Sequence, residues 1–215
     1  MPAAESYDAT YFTTLYGKRP VQTWADRARD RRIVHLIRAF GPQTEHGGSL
    51  LDVGCGYGYL LERFRDRFTL YGTDISPHAV EKAQARLRDA HIAVANIQEG
   101  LPFGGPFQVI LAVNVVEHLS QPEAAARVIY NHLAPGGLFA VHLPTINNPL
   151  NAWVYARSYA HDATHVYRPS GDTLRNLLGA AGFQTLWESY SPHWPRAFCN
   201  WLKPHPGYLA VFRRS

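Results

Sequence analysis

Two carboxylates, Asp52 and Asp74, each end a short apolar run. The first opens the stretch Asp52-Val53-Gly54-Cys55-Gly56-Tyr57-Gly58-Tyr59, with three alternate glycines behind it. Glycines at that spacing let the backbone take positive φ and let a ligand come close to the main chain. A carboxylate beside such a turn disfavours a pyrophosphate, which seeks bare N–H groups and the positive end of a helix. It suits a cationic or amine-bearing ligand. The dinucleotide fingerprint G-x-G-x-x-G is not met, because Tyr59 stands where its third glycine is required. Asp74 lies 22 residues beyond Asp52, at the tip of Thr69-Leu70-Tyr71-Gly72-Thr73-Asp74. An acid there can accept hydrogen bonds from both hydroxyls of a ribose.

A second set of residues is suited to moving a proton. Glu117-His118 follows the apolar run Phe107 to Val113, and His165 stands in Thr164-His165-Val166-Tyr167-Arg168-Pro169. An imidazole, with an unperturbed pKa of about 6.5, serves as a general base near neutral pH. His118 and His165 are the leading base candidates, with Asp162, His161 and Glu117 behind them. The chain has 11 histidines, so most have another role. His142, inside an apolar run, reads as a hydrogen-bonded core residue.

The elements that must position these groups follow from the hydrophobic pattern. Apolar runs near 49–53, 69–73, 92–95, 107–112 and 138–143 alternate with helical stretches, which argues for a parallel sheet with helices on both faces. Ser76 reads as an N-cap and Pro77 as the first helical residue, with Val80, Ala83 and Leu87 on one stripe. Pro135-Gly136-Gly137 breaks a helix before the fifth run. Residues 184–190 and 208–213 read as two closing strands. Thr23-Trp24-Ala25-Asp26 is a capping-box-like start to an earlier helix, whose stripe of Ile33, Leu36, Ile37 and Phe40 ends at Gly41-Pro42.

The series of motifs resembles the class I S-adenosylmethionine (SAM)-dependent methyltransferases, of the small-molecule type. The similarity runs over about residues 49–190: the D-x-G-x-G-x-G loop, the acid at Asp74, the segment Asn96-Ile97-Gln98-Glu99, Val113-Asn114-Val115-Val116-Glu117-His118 and the Leu133-Ala134-Pro135-Gly136-Gly137 turn. This resemblance implies an α/β Rossmann-like doubly wound sheet of seven strands, order 3-2-1-4-5-7-6, the last strand antiparallel. It implies SAM as cofactor and S-adenosylhomocysteine as product. Asp52, Gly54, Cys55, Gly56, Gly58, Asp74, Ile75, Asn96, Ile97 and Asn114 are the implied cofactor-binding positions. Asn96 stands where the family usually has Asp, so a charge-assisted bond to adenine becomes a neutral one.

The resemblance further implies methyl transfer to a small-molecule acceptor, a hydroxyl rather than an amine. The Asn/Asp-Pro-Pro-aromatic turn of base-modifying enzymes is missing at Asn114-Val115-Val116-Glu117. A quinone-pathway-like O-methyltransferase is one alternative; its motif, similar to Glu-x-x-Glu-His, can hold a divalent metal. Here Asn114 takes the first position, which removes a charged hard ligand, so no metal is expected. A SAM-binding scaffold without turnover is the other alternative. Tyr7, Tyr11, Phe12 and Tyr16 resemble a lid, and Trp153, Tyr155 and Tyr159 are expected to build an acceptor pocket.

The 215 residues, 46% hydrophobic, suit a single structural domain, with an N-terminal lid and helix over 1–45 and the methyltransferase unit over 46–215. Residues 18–38 carry Lys18, Arg19, Arg27, Arg29, Arg31, Arg32 and Arg38 against Asp26 and Asp30. A solvated helix face explains most of this excess better than a nucleic-acid surface. Arg29 differs: it falls on the apolar arc and must snorkel or reach into the active-site mouth. There is no apolar run of membrane-spanning length and no signal-like start, so a cytoplasmic monomer or homodimer without a nucleic-acid partner is expected. Cys55 and Cys199 make no disulfide framework.

Overall fold

The computed structural model describes residues 22–42, 48–159, 162–190, 203 and 205–215. The aromatic cluster of residues 7–16, His161 and Cys199 lie outside them. Seven strands form one sheet: β1 Ser49–Val53, β2 Thr69–Asp74, β3 His91–Val94, β4 Phe107–Val113, β5 Leu133–Pro144, β6 Phe183–Ser189 and β7 Gly207–Arg214. Their order is β3-β2-β1-β4-β5-β7-β6. The pairings from β3 to β5 are parallel, whereas β7 runs antiparallel to both β5 and β6.

Successive residues of the central strands serve opposite faces. Leu51, Val53, Ile110, Ala112, Phe139 and Val141 pack with Ala125, Ala126 and Ile129 of α3 (Pro122–His132) and with Leu174 and Leu178 of α5 (Gly171–Ala180). Leu50, Val109, Leu111, Leu138 and Ala140 pack on the other side with Ile33, Leu36 and Ile37 of α1 (Trp24–Phe40) and Val80 and Ala83 of α2 (Pro77–Arg86). A one-residue slip in any central strand would exchange the two sets. Burying each Leu or Phe is worth about 1.5–3 kcal/mol, so register is tightly fixed. The remaining helix, α4, spans Pro149–Ser158.

Local signals set the helix starts. Thr23 accepts from Asp26 N at 3.1 Å while Asp26 accepts from Thr23 N at 2.9 Å, a complete capping box. Ser76 caps α2 with Pro77 at its first turn. Strand β5 begins five residues before the run read from sequence. Leu133 pairs with Phe107 before the register shifts between Phe107 and Val109, so the Pro-Gly-Gly turn is taken into the strand. Arg27, Arg31, Arg32 and Arg38 of α1 are exposed, as a solvated face requires. No helix among the described residues is long and apolar enough to cross a membrane.

Candidate active site

The parallel strands β1, β2 and β4 deliver their carboxyl ends to one edge, where Asp52, Asp74 and Asn114 lie. The glycine loop leaves β1 there and uses its own donors. Gly54 N and Cys55 N both donate to Thr73 O, at 2.7 and 2.9 Å, Gly56 N donates to Asp74 Oδ2 at 2.9 Å, and Gly58 N donates to Cys55 O at 2.9 Å. Four donors that would cradle a pyrophosphate are thus engaged within the protein, in agreement with the reading of the acid beside the turn.

The three glycines have different reasons to be glycine. All have positive φ, at 70°, 52° and 78° for Gly54, Gly56 and Gly58. A Cβ on Gly54 would lie 2.3 Å from Val115 Cγ2, and one on Gly58 would lie 3.0 Å from Leu87 Cδ1. At Gly56 a Cβ would meet nothing within 4 Å. Gly54 and Gly58 therefore permit packing, and Gly56 alone borders open space of the kind a ligand needs. Cys55 turns its side chain into the α1–α2 core cluster and can offer a ligand only main chain.

Asp74 joins the loop to the second strand. Its Oδ1 accepts from Ser76 N and its Oδ2 from Gly56 N, both at 2.9 Å. A carboxylate has about four acceptor sites, so Asp74 keeps acceptor capacity for a ribose hydroxyl. Burial raises the Asp74 carboxyl above its ordinary value, and the main-chain donors of Ser76, Gly56 and Ile75 oppose that rise. Asp52 is also buried, and burial pushes it well up; Asp30 and Asp74 push the same way and Arg29 opposes them. Ile75 is half-buried beside Tyr57 and Ala79.

Arg29 resolves the choice posed by its sequence. It is held by Asp26 at 3.1 Å and by Asp30 at 2.8 Å, with only 11% of its side chain exposed. Asp30 is wholly buried and also accepts from Gln22 at 2.8 Å. The Arg29 charge opposes the rise of Asp52, Glu117 and Tyr159, and its burial against Asp26 and Asp30 sets it apart from the solvated face. The buried Asp30 anchor was not anticipated; an acid next to an arginine on an apolar arc was its only signal.

Asn96 is largely spent on its own turn. Its Oδ1 accepts from Gln98 N at 3.1 Å and its Nδ2 donates to Glu99 at 2.7 Å. Ile97 buries its side chain in the core, leaving main chain to face a ligand. Asn114 is exposed at φ 56°, a left-handed conformation that Asn tolerates better than most residues. Asn114 N donates to His142 O at 2.8 Å, and its Oδ1 lies 2.8 Å from His142 Nδ1. His142 is therefore hydrogen-bonded as expected, but at the edge of the site.

Of the candidates for proton transfer, Glu117, His118, Asp162 and His165 lie together. The His118 and His165 rings meet edge to face with centroids 4.9 Å apart. His118 Nδ1 lies 2.9 Å from Thr164 Oγ1, His165 Nδ1 lies 3.0 Å from Tyr155 Oη, and the other His165 nitrogen lies 3.7 Å from Asp162 Oδ2. Thr164 also donates through its main chain and hydroxyl to Asp162. Burial pushes His165 down to about 4, with His118 acting in the same direction, and burial lowers His118 as well. Burial thus favours the neutral form of both imidazoles. Burial alone would raise Asp162, yet the Thr164 hydrogen bonds together with His165 and His118 outweigh it and the carboxyl stays below its ordinary value. Burial raises Glu117 to about 8.

Tyr155 and Tyr159 line this cluster, with centroids 6.3 and 6.4 Å from His165. Trp153 departs from its expected place in the pocket. It is 56% exposed, under the Arg157 guanidinium at 3.8 Å, because two helical positions before Tyr155 fall on the far side of α4.

Residues 25–188 match the family model described as a methyltransferase domain. The ubiquinone biosynthesis O-methyltransferase of Methylobacterium nodulans is 31% identical over 162 residues, which are 65% of this chain and 64% of that protein. The protein of the same name from Caulobacter sp. strain K31 is 36% identical over 136 residues, 60% of this chain and 53% of the other. The chain thus spans between half and two thirds of these two relatives. Among solved structures, magnesium protoporphyrin IX methyltransferase from Synechocystis PCC 6803, with S-adenosylhomocysteine bound, superposes with a TM-score of 0.71 at 16% identity, covering 99% of this chain and 98% of that one. A TehB-like SAM-dependent methyltransferase from Corynebacterium glutamicum gives 0.67 at 18% identity over 99% and 98%. Those two likenesses bear on the fold, whereas the match over residues 25–188 bears on descent: the chain belongs to the SAM-dependent methyltransferase family.

Proposed function

We propose that the protein transfers the methyl group of SAM to a hydroxyl of a small planar acceptor, as the name of its ubiquinone-pathway relatives suggests for them. The observation that carries this reading is the buried pair of imidazoles, His118 and His165, packed on each other and backed by Tyr155, Tyr159 and Asp162. An amine acceptor needs only its lone pair, whereas a hydroxyl must lose a proton as its oxygen attacks. In the proposed step the acceptor oxygen bonds to the methyl carbon, the S–CH₃ electrons return to sulfur, and the hydroxyl proton passes to His118 or His165. Asp162 then stabilises the imidazolium if His165 takes it. The remaining catalysis is alignment of oxygen, carbon and sulfur with water excluded.

The cofactor would lie along the strand ends, its ribose on Asp74, its adenine between Ile75 and the main chain of Asn96 and Ile97, and its amino group toward Asp52. The decisive experiment incubates the protein with methyl-labelled SAM and a panel of phenols, catechols, sugars and amines, and follows label by mass spectrometry. Label on a hydroxyl with none on amines supports the reading. Label on amines overturns it, and SAM binding without transfer to any acceptor favours the scaffold alternative.

A further inference from the structure

The two imidazoles differ in how their ring nitrogens are held. His118 Nδ1 lies 2.9 Å from Thr164 Oγ1 and 3.2 Å from Thr164 O. A main-chain carbonyl can only accept. The Thr164 hydroxyl donates to Asp162 Oδ1, whose carboxyl stays below its ordinary value and is therefore ionised near neutral pH. With its single proton spent on that carboxylate, Thr164 Oγ1 also faces His118 as an acceptor. Two acceptors at Nδ1 require that nitrogen to carry the ring proton, and the lone pair of the neutral ring is then on Nε2.

His165 is committed differently. Its Nδ1 lies 3.0 Å from Tyr155 Oη, and its other nitrogen faces Asp162 Oδ2 at 3.7 Å. A carboxylate on that side favours the proton there. The Tyr155 phenol, which burial raises, keeps its own proton and donates it to Nδ1. Taking up another proton at Nδ1 would break that bond, and burial already holds this ring down to about 4. His165 acts as a brace instead: it faces the second oxygen of Asp162 and packs edge to face on His118, so its removal also loosens the base. Thr164 reaches His118 from 46 residues away in the chain. Its segment is fastened there by Tyr167 N, which donates to Glu117 O at 2.9 Å, and by Arg168 Nε, which donates to His165 O at 3.2 Å.

Resting on the hydroxyl-methylating reading above, we infer that His118 Nε2 is the base and that Thr164 is its positioning residue, with Asp162 acting through the Thr164 hydroxyl. As the acceptor O–H bond breaks, its proton goes to Nε2, the oxygen bonds to the methyl carbon, and the S–CH₃ electrons return to sulfur. The charge created on the ring is met at Nδ1–H by Thr164 Oγ1, which the ionised Asp162 polarises.

Protein carrying nitrogen-labelled histidine is read by NMR without acceptor, His118 being identified by the signal that His118→Gln or His118→Asn removes. The expected ring has a protonated Nδ1 and a bare Nε2. Turnover is then measured with methyl-labelled SAM and the hydroxyl acceptor that the wild-type protein labels. Thr164→Val keeps the shape and the main-chain carbonyl but has no hydroxyl. It should lower kcat by about tenfold or more, the worth of a hydrogen bond to a charged group, with KM for SAM unchanged, and Thr164→Ser should restore most of that loss. Thermal unfolding checks each variant; if Thr164→Val does not fold, Thr164→Ala carries the comparison, and the wild-type spectrum stands without either. A His118 proton on Nε2, a Thr164→Val protein that turns over as the wild type does, or a Thr164→Ser protein as slow as Thr164→Val overturns the assignment. If the wild-type protein labels no hydroxyl, the proposed function falls and this role for His118 with it. The nitrogen spectrum, which needs no acceptor, tells that failure from a wrong placement of the proton.

Discussion

The loop after β1 and the segment after β4 lie side by side at the sheet edge but are built differently. In the first, the N–H groups of Gly54, Cys55, Gly56 and Gly58 all have protein acceptors, and Asp74 is oriented by Gly56 N and Ser76 N. In the second, Glu117 keeps a buried oxygen without a partner, Asn114 holds a left-handed conformation, and both histidines depend on side chains from residues 155–164. The first half is self-sufficient and presents a finished surface to a cofactor. The second leaves one buried acceptor open and is held by side chains from a distant segment, a looser construction that leaves room for variation among enzymes sharing one fold.

The sharpest way to break the comparison is at the glycines. Gly56→Val places a Cβ into the open space beside the loop and forces a β-branched residue to φ 52°. SAM binding should fall by more than a hundredfold in calorimetry, while the thermal midpoint falls only by the cost of the strained backbone, with no clash added to it. Gly54→Ala should do the reverse, lowering the midpoint through the 2.3 Å clash with Val115. If both variants lose only stability, Gly56 does not border the cofactor.

On the other half, His118→Gln and His165→Gln keep the approximate shape of the imidazole and remove its basicity. Loss of a general base typically costs 10²–10⁴-fold. The two variants should therefore lower kcat by about a hundredfold or more for a hydroxyl acceptor, with KM for SAM unchanged. Unchanged turnover in both would remove these residues from the proton path.

Asp74→Ala returns to the cofactor side with a smaller effect. Losing hydrogen bonds to a charged group costs about 1.5–3 kcal/mol, or roughly 10–150-fold in the dissociation constant. Because Asp74 also accepts from Gly56 N, Asp74→Asn serves as the comparison: its amide oxygen can keep one main-chain bond and lose the charge. An Asp74→Ala protein that binds SAM normally would take Asp74 out of the ribose site.

These contrasts explain what the sequence could disclose. Strand β1 and the ends of β2 and β4 were readable because a strand's hydrophobic run and the turn that stops it are contiguous. The same holds for the capping box at Thr23 and for the D-x-G-x-G-x-G loop. Which glycine serves a ligand was not readable, since Val115 and Leu87 come from other segments. Trp153 was misplaced for a local reason, the rotation of α4, which the short apolar pattern of 149–158 does not fix. The union of Glu117, His118 and His165, and the bond from Asn114 to His142, depend on the crossover from β4 to β5 and on the loop after α4. Neither leaves a periodic signal.

Asp52 gives the finest test of the cofactor half. Burial holds its carboxyl well above the unfolded value in the ligand-free protein, and the nearby Asp30 and Asp74 add to that. The folded state therefore binds this proton more tightly than the unfolded chain does. Its stabilising contribution is complete below the unfolded pKa, about 3.9, and is lost as pH rises through the raised folded value. A cationic amino group beside Asp52 has the opposite preference, because it favours the carboxylate. SAM affinity should accordingly rise with pH over the window in which the ligand-free protein loses stability. Asp52→Asn should flatten both slopes while leaving the Asp74 contacts in place. Urea unfolding and SAM calorimetry across one pH series measure the two together. Parallel rather than opposed slopes would mean that Asp52 supports the sheet edge alone and that the cofactor's positive charge is met elsewhere.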